Sequence, residues 1–137
     1  MMKQLKKYFF AATFLLTLAT TAQAKLVQTK VYIFGMAASF NDSTSYITDV
    51  QEVDAWINDK GNFLYSRENY SYQLRDFLQS QGFVNPTCIT CFALSRKKAE
   101  KKYATLLKKN AAKGDANLRY LNAKDFKYAA VAPEIGR

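Results

Sequence analysis

Histidine is absent from this chain. That removes the usual general base near neutral pH, the Ser–His and Cys–His pairs of nucleophilic catalysis, and the commonest metal ligand. Cysteine is scarce, with only Cys88 and Cys91 present. A zinc site would therefore lack two of its soft ligands. The motifs G-x-x-x-x-G-K-S/T, G-x-G-x-x-G, G-x-S-x-G and H-E-x-x-H do not occur, so phosphate cradling and the common nucleophile sites have no support. No metal or cofactor is expected. No internal repeat or low-complexity stretch is visible, and no apolar run after residue 24 is long enough to span a bilayer.

What is present begins with the N-terminus. Lys3, Lys6 and Lys7 form a positive region, Tyr8 to Leu18 is uncharged and apolar, and Thr20-Thr21-Ala22-Gln23-Ala24 ends in small residues at alternate positions. These parts have the order and lengths of a secretory signal peptide. A membrane span needs about 20 apolar residues, more than this run supplies. The expectation is a cleaved signal peptide over 1–24 and a single α/β domain over 25–137. The product would be exported to the periplasm or beyond. Residue 25 is Lys, not Cys, so a lipid-anchored form is not expected. Loss of Lys3, Lys6 and Lys7 takes the formal charge from +9 to +6. A moderately basic domain favours anionic partners and also solubility.

Val31 to Phe40 (VYIFGMAASF) reads as a buried strand, and Gly35 within it marks a bulge or a close backbone approach. Asn41-Asp42-Ser43 is a polar turn. Thr44 to Val53 reads as a second strand forming a hairpin with the first. Asp54 to Tyr65 contains the turn cluster Asn58-Asp59-Lys60-Gly61-Asn62 and fits either a second hairpin or an ordered loop. Ser66 is placed to cap a helix whose apolar stripe is Tyr70, Leu74, Phe77 and Leu78, with Gly82 as its stop. Thr87 to Leu94 is a buried strand by composition. Ser95 caps a second helix with the stripe Ala99, Tyr103, Leu106 and Leu107, ended by Gly114. Leu118 to Leu121 and Phe126 to Val131 are short extended candidates, and Pro133 to Arg137 a loose tail. The order β-β-α-β-α-β gives an α+β domain built as a small two-layer α/β sandwich. A ferredoxin-like arrangement is one way of joining these pieces.

Three groups of residues are candidates for function. The second helix carries Lys97, Lys98, Lys101, Lys102, Lys108 and Lys109, offset by Glu100 alone. Such a face can hold a polyanion by point-charge contacts, and equally can be a solvated surface. Inward-facing Tyr103 is the one aromatic among these lysines, so the stacking of single-strand nucleic-acid binders is missing. Export also argues against a nucleic-acid partner. Trp56, Tyr65 and Tyr72 form a possible aromatic contact surface for sugars or a protein, against the alternative of a mini-core beneath a loop. Asp49, Glu52 and Asp54 are the carboxylates available to an enzyme, but match no calcium-loop spacing, and a strand sends Asp49 and Glu52 to opposite faces. Cys88 and Cys91 form a C-x-x-C, which first suggests a redox pair. In a strand, however, the two point to opposite faces about 10 Å apart, beyond the roughly 7 Å that a disulfide tolerates. They read as buried apolar residues.

Tyr72 to Phe83 (YQLRDFLQSQGF) followed by Ile89 to Lys109 (ITCFALSRKKAEKKYATLLKK) resembles the rhythm of SPOR peptidoglycan-binding domains. In both, a helix ends in Gly-Phe, and a strand and a capped Ala-Glu helix follow. The first strand lacks that family's Gln and Gly-Ser-Phe start, and its second Gly-Pro-Phe-like turn is absent. The resemblance implies a two-layer fold and cell wall as a ligand. The leading expectation is an exported, non-enzymatic binding domain for an anionic glycan, cell wall or another protein. The alternatives are a SPOR-like peptidoglycan-binding module and a small enzyme using Asp49, Glu52 and Asp54 or the cysteine pair.

Overall fold

The computed structural model describes residues 25–40, 42–114 and 117–134. The expected signal peptide over 1–24 and the end of the expected tail lie outside the described residues. The organising element is a long strand, β1 (Leu26–Ser39). Its central residues are apolar on both faces, so it needs cover on both sides. Val31, Ile33 and Ala37 project to one face, Phe34 to the other, and all are buried.

β1 is flanked on one edge by β2 (Asp42–Thr48) and β3 (Gln51–Asn58), both antiparallel to it. Met36 faces Ile47, whereas Ile33 faces Gln51. Three steps along β1 thus meet four along its partner, a bulge that breaks the single strand expected over Thr44 to Val53. Thr48 satisfies the break. Its hydroxyl accepts from the Gly35 N–H at 2.9 Å and donates to the Asp49 carbonyl at 3.0 Å. β3 runs on to a tight turn, where Asn62 has φ 53° and its N–H bonds the Asn58 carbonyl. A short antiparallel β4 (Phe63–Leu64) follows. The ambiguous stretch is therefore a hairpin.

α1 (Arg67–Ser80) buries Tyr70, Leu74 and Leu78 of the expected stripe, and its fourth member, Phe77, is partly buried against them. Ser66 precedes it, but sits in the left-handed region with no side-chain cap bond; its hydroxyl accepts from the Asn69 side chain instead. The helix ends on Gly82 at φ 91°. The Gly82 and Phe83 N–H groups bond the Gln79 and Leu78 carbonyls, a Schellman finish. β5 (Thr87–Ala93) pairs with the other edge of β1. α2 (Arg96–Ala112) starts at Ser95, whose side chain accepts from the Lys98 N–H at 3.2 Å. β6 (Leu118–Leu121) returns parallel to β2. The result is a mixed six-stranded sheet with two helices.

The helices lie on opposite faces. Leu74 of α1 reaches Gly35 of β1, whereas Tyr103 of α2 stacks edge-on against the neighbouring Phe34, with ring centroids 5.3 Å apart. Successive strand residues point to opposite sides. The centre is therefore helix, sheet, helix. The α+β class holds, but the two-layer, ferredoxin-like arrangement is replaced. It failed because both faces of β1 are apolar, and both require a cover.

Phe126 to Val131 is not a strand of this sheet. Its backbone groups bond side chains. Gln51 donates to the Phe126 carbonyl and accepts from the Tyr128 N–H, both at 2.8 Å. Gln73 grips both backbone groups of Ala129 at 2.9 Å, and the Tyr70 hydroxyl accepts from Val131 N–H. This strap presses Phe126 and Tyr128 into the core beside α1.

Candidate anion-binding site

The lysines of α2 divide by helical geometry. Lys98, Lys101, Lys102, Thr105 and Lys109 recur at spacings of three and four, and so share one stripe. This stripe lies beside the apolar one that begins at buried Ala99. Lys97 and Lys108 stand at i−4 and i+7 from Lys101, on its outer flank, and do not line the groove described next. Of the six lysines that the sequence places on this helix, four line one groove.

Those four border a groove of about 450 Å3 between α2 and the sheet. Half-buried Cys91 and Leu106 supply its apolar surface, fully buried Phe34 lies beneath them, and Thr105 adds a hydroxyl. Phe34 and Cys91 face each other across the β1–β5 ladder, which is why two residues so distant in sequence share one floor. The Lys102 ammonium donates to the Phe92 carbonyl at 2.9 Å on the outer edge of β5 and lies 5.7 Å from the Phe92 ring centroid. Among the described residues no lysine of α2 takes part in an ion pair. The salt bridge found there is Arg75–Asp76, on α1. The lysine stripe is thus a set of uncompensated charges over an apolar slot.

The two cysteines point to opposite faces, as strand geometry requires, and both are free thiols. Burial pushes Cys88 up to about 11, against the opposing pull of Arg75. Burial also raises Cys91, although Arg67 and Lys102 act the other way. A raised thiol holds its proton at neutral pH, so neither is poised as a nucleophile.

The carboxylates do not converge. Asp49 accepts from the Ala123 N–H at 3.2 Å, and Glu52 from the Tyr32 hydroxyl at 3.2 Å. Asp54 is exposed on β3, and Asp59 accepts from the Lys25 N–H at 3.0 Å in the β3–β4 turn. Among the described residues no three His, Cys, Asp or Glu side chains gather as metal ligands would. The aromatic trio also separates. Trp56 alternates with core-facing Ala55 and Ile57 and so lies on the α2 side of the sheet. Tyr72 is on the outer surface of α1, on the opposite side, with the Arg75 guanidinium 4.5 Å from its ring centroid. Tyr65 follows β4 and is half-buried.

Phe34, Cys91 and Leu106 were not grouped with the lysines at the level of sequence. The helical period of the lysine stripe was legible there. The floor was not, because it depends on the β1–β5 register. Comparisons with protein families, with curated proteins and with solved structures found no match to this chain.

Proposed function

We propose that this chain is an exported, non-enzymatic binding domain whose ligand is anionic and is gripped by α2. The observation that carries the reading is the stripe of Lys98, Lys101, Lys102 and Lys109 along one groove, with no carboxylate paired to it among the described residues. Point charges held on one rigid helix attract an anion from a distance and contribute most at low salt. The dispersed carboxylates and protonated thiols offer no paired acid and base, which favours binding over catalysis. Export follows from the N-terminal sequence pattern, and makes anionic envelope material, cell wall first, the ligand to try.

The test is co-sedimentation of the purified protein with cell wall across a salt series. Pelleting at low salt that fades as salt rises is expected. Lys101→Glu/Lys102→Glu, on the exposed face of α2, should abolish it while leaving the circular-dichroism spectrum unchanged. Pelleting that survives both salt and the double substitution would remove α2 from the account.

A further inference from the structure

Four ammonium groups around a slot whose accessible apolar surface is a thiol and a leucine, over the buried Phe34 ring, form a composite surface, and a simple polysaccharide would use only part of it. A sugar ring can lay a C–H face on an exposed aromatic ring, but the aromatic at this slot, Phe34, is fully buried, and sugar hydroxyls gain little from a thiol and a leucine. A ligand that satisfies both halves carries a charged head and an apolar body. The groove volume of about 450 Å3 falls within the range of small-molecule sites, roughly 300–1,000 Å3. Lys102 already bonds the Phe92 carbonyl, so Lys98, Lys101 and Lys109 are the cations more freely available to a head group.

Resting on the reading of α2 as the anion contact, we propose that the α2 groove is a site for an anionic amphiphile, whose apolar chain lies on Cys91 and Leu106, above buried Phe34, while its head group is held by the lysine rim. Two features of the fold make this open to direct measurement. Burial of methylene groups has a known increment, so affinity should climb about fourfold for each methylene that enters the groove. Cys91 lies in the groove, whereas Cys88 projects to the α1 face. The two thiols are therefore a reporter and its internal control.

The experiment titrates the purified protein with hexanoate, octanoate and decanoate below their micellar concentrations. A soluble sulfated polysaccharide is titrated in parallel. Alkylation of each cysteine by neutral iodoacetamide is followed by mass spectrometry. The expected result is affinity that rises steeply along the series, with decanoate slowing alkylation at Cys91 and leaving Cys88 unchanged. Thr105→Glu, which places a like charge at the exposed rim without touching the floor, should weaken decanoate at least several-fold. Affinity independent of chain length, or unprotected Cys91, would overturn the proposal. If the polysaccharide still bound, α2 would remain an anion contact without an apolar subsite. If neither ligand bound, the functional reading and this inference would fall together.

Discussion

At the scale of single residues, Gly35 carries the most consequence. It lies mid-strand in β1, where glycine is costly unless something needs the space. That something is the Tyr128 side chain. A Cβ at position 35 would collide with the Tyr128 hydroxyl and lie 3.0 Å from Leu74 Cδ2. The hydroxyl is buried with no hydrogen-bond partner among the described residues. Burial accordingly raises its pKa. Gly35→Ala should destabilise the fold by about 1–3 kcal/mol through overpacking, read from chemical denaturation. Tyr128→Phe removes both the clash and an unsatisfied polar atom, so it should be close to neutral alone and should restore much of the loss in the double variant. Additive effects in that cycle would disprove the contact. The role of Gly35 as a point of close approach was legible from its place in an apolar strand. Its partner was not, because Tyr128 arrives on a strap with no regular hydrogen-bond ladder to mark it.

At the scale of elements, local chemistry decided what could be read. The cap at Ser95 and the stop at Gly82 depend on a few consecutive residues, and both appear where the spacing places them. The stripes Tyr70–Leu74–Leu78 and Ala99–Tyr103 likewise follow from helical periodicity alone. Ser66 failed as a side-chain cap because the chain turns into α1 straight from β4 and Ser66 takes a left-handed conformation. The split between β2 and β3 was hidden because one extra residue leaves the apolar pattern on each side intact. Phe126 to Val131 has strand composition but finds glutamine amides in place of a neighbouring strand. Gln51, which is buried, makes the more important of these bonds. Gln51→Ala would leave the Phe126 carbonyl and the Tyr128 N–H without their partner, costing about 1–3 kcal/mol. Hydrogen exchange at Tyr128 should then accelerate more than exchange in β1. Equal acceleration at both sites would mean that the strap has no separate stability.

At the scale of the molecule, the sheet separates two different surfaces. The α1 side holds the main core cluster with the strap packed into it. The α2 side is more open and carries the lysine stripe. Which helix covers which face could not be read from either helix sequence, since it depends on the β1–β5 pairing and on the crossover to β6 beside β2. The basic character of α2 was legible, and the groove beneath it was not. A polyanion should therefore meet this protein from one side only.

Amide chemical-shift mapping by NMR, with a soluble sulfated polysaccharide titrated at low salt, tests that claim most directly. The account predicts shifts confined to α2 and the adjoining strand residues Phe34 and Cys91, fading as salt is added, with α1 and Tyr72 silent. Shifts centred on α1, or on the β3–β4 hairpin around Trp56, would contradict it.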